Sequence, residues 1–161
     1  MGRAWIQLIE SEDEDAEILA NGAEEWPEVE FEVALDSGSV VHVCAEEDCM
    51  GYLLEDSPGS KRNQMFLMGD GGKIPNQGQK SLRLADLDRG VEISSVFQIA
   101  KVTRPLMSVG KICDEGKQVV FDKNTARVLD KDGKEVCRFE RQPGGLYVVK
   151  LKLRAPGFAR Q

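Results

Sequence analysis

One acidic residue is the best-placed candidate for chemistry in this sequence. Asp36 follows directly on the apolar run at residues 33–35, which predicts a buried strand, and it precedes a serine and a glycine. A carboxylate at the end of a buried strand is costly unless something compensates its desolvation. A carboxylate, a hydroxyl and a glycine that permits a tight turn are together typical of a general acid or base that works as one of a pair.

Paired carboxylates can catalyse the attack of water on a carbonyl group. When two of them face each other they share one proton, so one activates a water molecule while the other protonates a carbonyl oxygen. Asp-Ser-Gly occurs once in the 161 residues. The second aspartate must therefore come from a second chain, which predicts a symmetric dimer. The alternative is structural: Asp36 and Ser37 form a turn through side-chain to backbone hydrogen bonds, because Asp-Ser-Gly is common turn chemistry.

The surrounding pattern predicts the elements that hold this tripeptide. Apolar residues alternate with glutamates over residues 28–33, a period of two that indicates a strand, and the β-branched run at residues 40–44 predicts another. Residues 65–84 contain two extended runs joined by a glycine-rich segment, which predicts a hairpin with a mobile tip. A helix is expected from near Ser108 to Gly116, where a glycine suits a left-handed cap.

The remaining segments complete a mostly β chain with one helix. Further strands are expected at residues 91–102 and in four short runs after Gly116, separated by turn signals such as Lys-Asp-Gly and Pro-Gly-Gly. Residues 1–25 contain many acidic side chains and no regular spacing of apolar residues, which predicts a flexible acidic arm. Within this arm a short strand is expected at residues 4–9 and a short helix around residues 15–20.

Several of these segments, in this order, resemble one family. Leu35-Asp36-Ser37-Gly38-Ser39, preceded by Val33-Ala34, resembles the active-site motif of retropepsin-type aspartic proteases. The stretch MGDGGKIPNQGQKSLRL resembles the glycine-containing hairpin of the copia-type retrotransposon protease, and RPLMSVGKICDEGKQVVFD resembles its later apolar pair, helix and closing strand. The stretch DKDGKEVCRFERQPGGLYVVKL resembles the short region before integrase in copia polyproteins. The resemblance covers residues 28–153.

This resemblance implies a fold, a division of the chain and an activity. The implied fold is mostly β, a retropepsin-like closed β fold with one short helix and C-terminal β hairpins. Residues 1–25 would be the acidic arm, residues 26–122 the protease domain and residues 123–161 a hairpin tail. The implied activity is that of an aspartic endopeptidase that cleaves its own polyprotein as a homodimer, with one aspartate from each chain and with no metal or organic cofactor.

The resemblance also implies roles around the tripeptide. Asp36 would be the catalytic carboxylate, and Ser37 would form a hydrogen bond across the dimer that braces the two active-site loops. Gly38 would let the backbone approach the substrate, and Ser39 would complete the supporting loop. The sequence departs from viral relatives at Met107-Ser108, which replaces a glycine-bearing version of the segment.

A flap and a supporting segment are implied as well. Residues 69–78 would close over a bound peptide, and the substrate-binding residues of this flap would be Gly69, Asp70, Gly71, Gly72, Lys73 and Ile74. Leu106 and Met107 would form the apolar pair before the helix that supports the active-site loop. Residues 117–122 match the position of the closing strand that helps to join the subunits.

A zinc site is a competing interpretation of the cysteines. His42, Cys44 and Cys49, together with Cys113 or Cys137, provide metal-binding side chains, but their spacing lacks the close pairs of common zinc sites. Buried thiols that behave as small hydrophobic groups are the alternative.

Three other motifs are incomplete. A serine hydrolase would have to pair Ser37 or Ser39 with His42, but the sequence has no Gly-x-Ser-x-Gly elbow. Residues 69–73 lack the spacing of a phosphate-binding loop, and residues 130–135 lack the later ligands of a calcium loop. We expect hairpin turns at both places.

Composition limits the partners. The net charge of −7 and a pI near 4.9 argue against a nucleic-acid or anionic-membrane surface. No apolar stretch approaches the roughly 18 residues of a spanning helix. The four scattered cysteines and the absence of a cationic, then apolar, leader predict reduced thiols in a cytoplasmic protein.

Two rival hypotheses keep the same fold. In the first, the chain is a catalytically silent or domesticated module that dimerises or binds peptides. In the second, the acidic arm at residues 1–25 blocks the groove of an otherwise competent protease.

Overall fold

The computed structural model describes residues 29–156. The predicted acidic arm, with its short strand and helix, lies outside the described residues. The described residues form strands β1 (Val29–Asp36), β2 (Val43–Cys44), β3 (Met65–Leu67), β4 (Lys73–Pro75), β5 (Gly78–Asp86), β6 (Val91–Ile99), β7 (Leu106–Ser108), β8 (Gln118–Phe121), β9 (Thr125–Leu129), β10 (Glu135–Arg141) and β11 (Tyr147–Leu153). The helices are α1 (Pro58–Lys61) and α2 (Val109–Asp114), and a 3-10 turn spans Glu46–Cys49.

Six strands close into a barrel in the order β1-β7-β2-β6-β5-β11, with β11 pairing back onto β1. The β5–β6 hairpin is the longest pairing in this wall, from Gly78 opposite Ile99 to Asp86 opposite Val91. β1 runs antiparallel to β11 from Val29 opposite Leu153 to Ala34 opposite Val148. The mostly β, closed fold expected from the sequence is confirmed.

The alternation at residues 28–33 explains the position of β1. Phe31 and Val33 are buried, whereas Glu30 and Glu32 are exposed, because successive side chains of a strand point to opposite faces. The ring of Phe31 meets that of Phe97 edge to face, with centroids 5.5 Å apart. Burial of this face fixes the register that delivers Asp36 to the end of the strand.

The second predicted strand is shorter than expected. The pattern at residues 40–44 predicts a strand throughout, but only Val43–Cys44 is a strand. Val40 is 75% exposed, and the Ser39 hydroxyl donates a hydrogen bond to the Val41 carbonyl. This part of the run therefore belongs to the loop that follows Asp36, and local side-chain to backbone bonding outweighs its β propensity.

Two short helices are present where one was expected. α2 confirms the expected helix: it is N-capped by Ser108 and is followed by Gly116 with φ +87°. α1 lies in the polar stretch at residues 55–64, where the sequence shows no helical period of apolar residues. Its signal is nevertheless present, since Ser57 accepts a hydrogen bond from the Ser60 amide and a proline occupies the first turn.

The C-terminal hairpins belong to the same core as the barrel. β8, β9 and β10 continue the sheet outward from β11, giving nine strands in all. Phe139 of β10 and Leu151 of β11 are fully buried in one cluster with Phe31 and Phe97. Residues 123–153 were expected to form hairpins, and they also provide the strand that closes the barrel.

Among residues 29–156, no helix is long and apolar enough to cross a membrane.

Candidate active site

Asp36 ends strand β1 and lies beside β7. The parallel pairing of these strands sets Ala34 opposite Leu106 and Asp36 opposite Ser108. The Asp36 side chain is half-buried, and its Oδ1 accepts a hydrogen bond from the Gly38 amide at 2.8 Å. Its Oδ2 has no hydrogen-bond partner within residues 29–156. One carboxylate oxygen is thus held by the turn, and the other is available to a water molecule or to a second carboxylate.

The rest of the tripeptide loop is open to solvent. Ser37 and Gly38 are exposed, and Ser37 makes no side-chain hydrogen bond within the described part of the chain. A Cβ atom at Gly38 would come within 3.3 Å of Asp36 Oδ1, so the glycine permits the tight approach of backbone to carboxylate. Ser39 is half-buried, and its hydroxyl donates to the Val41 carbonyl at 2.6 Å.

Leu106 and Met107, which the resemblance gives a supporting role, lie in β7 beside the strand that ends at Asp36. Leu106 pairs with Ala34 on one side and with Val43 on the other. Met107 is buried in the core, opposite Leu35. The apolar pair therefore joins the strand that carries Asp36 to the barrel wall.

Ser108 and His42 hold the loop after Asp36, a role that the sequence gives to neither residue. The Ser108 amide donates to His42 Nδ1 at 3.0 Å, and the Ser108 hydroxyl donates to the Ser39 carbonyl at 2.6 Å. The same hydroxyl accepts the Lys111 amide at the start of α2. A serine just before a helix is a sequence signal for a cap, but nothing in the sequence places it against residues 39 and 42.

His42 is held neutral by its surroundings. Burial, and then the nearby charge of Lys111, lower the pKa of His42 from 6.5 to about 4. The ring packs on Phe97, with centroids 5.3 Å apart. Because Nδ1 accepts the Ser108 amide, the single ring proton of the neutral form resides on Nε2.

The flap predicted at residues 69–78 covers the turn after β3, strand β4 and the connection to Gly78, the first residue of β5. β3 and β4 pair with each other in a separate two-stranded hairpin. At its tip the Met68 amide bonds to the Gly72 carbonyl, and the Gly72 amide bonds to Asp70 Oδ1. Gly71 adopts φ +90°, which suits a glycine in a tight turn. Gly69, Asp70, Gly71, Gly72 and Lys73 are exposed, and Ile74 is half-buried.

A buried polar network anchors the base of this hairpin. Asn76 is buried, and its side-chain amide donates to Gln64 Oε1 at 3.0 Å and to Gln98 Oε1 at 2.9 Å. Its Oδ1 accepts the Gly78 amide at 2.9 Å. The hairpin is therefore fixed at its base to β6, while no hydrogen bond or ion pair connects its tip to the Asp36 loop within residues 29–156.

The cysteines do not form a metal centre in the described residues. No group of three or more His, Cys, Asp and Glu within residues 29–156 is arranged to hold a metal ion. Cys44 and Cys49 lie with their Sγ atoms 3.7 Å apart in the core, Cys137 is buried elsewhere, and Cys113 is exposed. His42 Nδ1 is already occupied by the Ser108 amide.

Residues 130–135 form the expected hairpin turn. The Gly133 amide bonds to the Asp130 carbonyl, and Asp130 Oδ1 accepts the Asp132 amide at 2.9 Å. The turn connects β9 to β10.

Comparisons with known proteins found no matching family model, curated protein or solved structure.

Proposed function

We propose that this chain is an aspartic endopeptidase of a copia-like retroelement polyprotein that acts as a homodimer. The observation that carries the proposal is the placement of Asp36 at the end of a buried barrel strand, with Oδ2 unpartnered in the described residues and its loop supported by β7. In this proposal the Asp36 residues of two chains face each other and share one proton.

The reaction follows from that shared proton. The ionised Asp36 takes a proton from a water molecule, which attacks the peptide carbonyl carbon, while the protonated Asp36 of the second chain donates to the carbonyl oxygen. When the tetrahedral intermediate collapses, its C–N bond breaks and the Asp36 that took the water proton donates it to the leaving amine. The other Asp36 takes a proton from a hydroxyl of the intermediate as the new carbonyl forms, which restores the starting dyad. Because activity requires one protonated and one ionised carboxylate, we expect an acidic to mildly acidic optimum; a rate still rising above neutral pH would contradict the dyad.

Two surface features support a peptide substrate. The β3–β4 hairpin stands apart from the barrel sheet and exposes Met65 and Leu67, which suits a flap that covers an apolar side chain. Val40, next to the tripeptide, is also exposed. These exposed apolar side chains are available to contact the side chains of a bound peptide.

A second candidate function keeps the fold but performs no chemistry. In it the chain is a catalytically silent or domesticated retropepsin-like module that dimerises or binds peptides. The observation that favours it is the bond between Asp36 Oδ1 and the Gly38 amide, because this bond is also what an ordinary Asx turn requires.

The test is cleavage of a random peptide library between pH 4 and 7, with the molecular mass measured in the same buffers. Asp36→Asn should abolish cleavage and keep the dimer. Asp130→Asn is the matched control, because Asp130 makes the same turn contact to the amide two residues later but belongs to the β9–β10 turn. No cleavage by a folded wild-type dimer would favour the silent module, and a stable monomer would refute the shared site.

A further inference from the structure

Ser108 forms hydrogen bonds to three other parts of the molecule. Its amide bonds to His42 Nδ1, its hydroxyl donates to the Ser39 carbonyl, and the hydroxyl oxygen accepts the Lys111 amide. Ser108 is fully buried, and the bond from its amide to His42 is buried, whereas the two bonds of its hydroxyl are partly buried. The loop after Asp36 is therefore attached to β7 and to the first turn of α2 by one side chain.

His42 completes the attachment from the other end of the loop. Its ring lies between Phe97 of β6 and the Ser108 amide, and its own carbonyl accepts the Gln98 amide at 2.8 Å. The five residues from Ser37 to Val41 thus span two fixed points, Asp36 paired with Ser108 on β7 and His42 bonded to both β6 and β7.

The surroundings of His42 contain few charged groups. Lys111 faces it from α2, and a cavity of about 70 Å³ beside its ring is also lined by Glu115 and Lys117 from the end of that helix. Cys137 of β10 lines the same cavity, while β6 contributes Ser94 and Ser95 and β7 contributes Met107. No carboxylate forms an ion pair with His42 within residues 29–156; the bond from the Ser108 amide and the packing on Phe97 hold the imidazole.

We propose that His42 and Ser108 are positioning residues that hold the loop at residues 37–41, and through it the Asp36 carboxylate, in the geometry needed for a shared active site. This inference rests on the proposed function for its catalytic meaning. The structural part, that one imidazole nitrogen and one hydroxyl hold the loop, can be measured without any activity.

Two substitutions at residue 42 isolate the acceptor atom. In His42→Asn the Oδ1 atom occupies the same place along the side chain as Nδ1 and can accept the Ser108 amide. In His42→Leu a methyl group occupies that place and accepts nothing. The two variants are similar in size and differ in whether the atom at this place accepts a hydrogen bond. Asn also brings an amide NH2 group, whereas Leu preserves apolar contact with Phe97.

Two substitutions at residue 108 test the same inference if His42→Leu does not fold. Ser108→Ala removes the hydroxyl, and Ser108→Thr retains it. Because the hydroxyl also caps α2, amide exchange in residues 109–114 has to be compared with exchange in residues 37–41.

Hydrogen–deuterium exchange of the full chain is the first readout. Within residues 37–41 the Gly38 amide is the one with a hydrogen bond in the described part of the chain, to Asp36 Oδ1. We expect His42→Leu and Ser108→Ala to raise its exchange on the order of tenfold, the effect of losing one buried hydrogen bond. His42→Asn and Ser108→Thr should stay near the wild type. The inference is overturned if His42→Leu matches the wild type, if Asn is no better than Leu, or if Ser108→Ala changes only residues 109–114.

The peptide-cleavage rate is the second readout and separates the two proposals. We expect kcat to fall in His42→Leu and to recover in His42→Asn, with KM changed less in each. A wild-type chain that cleaves nothing refutes the proposed function, while the exchange data still decide whether these residues position the loop.

Discussion

Lys80 is fully buried in the barrel, and its Nζ lies 2.8 Å from Glu46 Oε2 and 3.0 Å from the Cys49 carbonyl. Glu46 is half-exposed and belongs to the 3-10 turn, so the pair ties this turn to β5. A buried ammonium depends on such partners, since removal of one leaves an uncompensated charge.

Glu46→Gln should therefore destabilise the fold. We expect a loss of about 1–3 kcal/mol in the free energy of unfolding, below the range for fully buried pairs because Glu46 keeps access to water. Urea denaturation measures it, and Glu47→Gln, an exposed neighbour, is the control with an expected change near zero. Equal losses in the two variants would show that the Lys80 contact does not account for the effect.

The stability should fall in acid through His42. Its folded-state pKa of about 4 lies below the unfolded value of 6.5, so the unfolded chain binds the proton more readily. The contribution of neutral His42 to the free energy of unfolding is complete above pH 6.5. As the pH falls towards 4 this contribution is lost, which lowers the free energy of unfolding by about 3 kcal/mol at most.

The titration of His42 can be measured directly, because it is the only histidine in the chain. Its imidazole proton resonance in NMR spectra should titrate below pH 5 in the folded state. Urea denaturation at pH 7 and pH 4.5 should show a smaller loss for His42→Asn than for the wild type. A folded-state titration midpoint near 6.5 would contradict the burial argument.

Asn76 should control the base of the hairpin. Asn76→Ala leaves Gln64, Gln98 and the Gly78 amide without their partner, and we expect a loss of about 1–3 kcal/mol. Amide exchange in residues 65–75 should rise more than exchange in β5. Asn124→Ala, at an exposed turn, is the matched control and should change neither quantity.

Thiol reactivity should be confined to one cysteine in the folded chain. Cys113 is exposed, whereas Cys44, Cys49 and Cys137 are buried. Burial raises the pKa of Cys137 to about 12. The hydrogen bond to Cys49, and then burial, raise the pKa of Cys44. Mass spectrometry after brief alkylation should show one modified thiol, and Cys113→Ser should show none; rapid labelling of Cys44 in the native state would contradict the packing.

Local patterns predicted the elements around the site well. The alternation at residues 28–33 predicted β1 and the exit of Asp36 from it, and Ser108 and Gly116 bracket α2 as expected. These features depend on neighbours within one strand or one helical turn, which periodicity and caps report directly.

Long-range contacts could not be predicted in the same way. The bond from the Ser108 amide to His42 joins residues 66 positions apart, and no local pattern indicates it. The shortened β2 has the same origin, since Val40 and Val41 have β propensity but the loop's own hydrogen bonds and exposure decide their conformation. Catalysis, dimer formation and the relation to copia proteases stay predictions.

The place of β11 has a consequence for the order of events during synthesis. β1 contains the candidate catalytic carboxylate at its end, yet its longest pairing is with β11, near the other end of the described chain. The barrel therefore cannot close on the ribosome until residues 147–153 have emerged, and such distant pairing is slow to form. A nascent chain would have no closed barrel around Asp36 until β11 had left the ribosome.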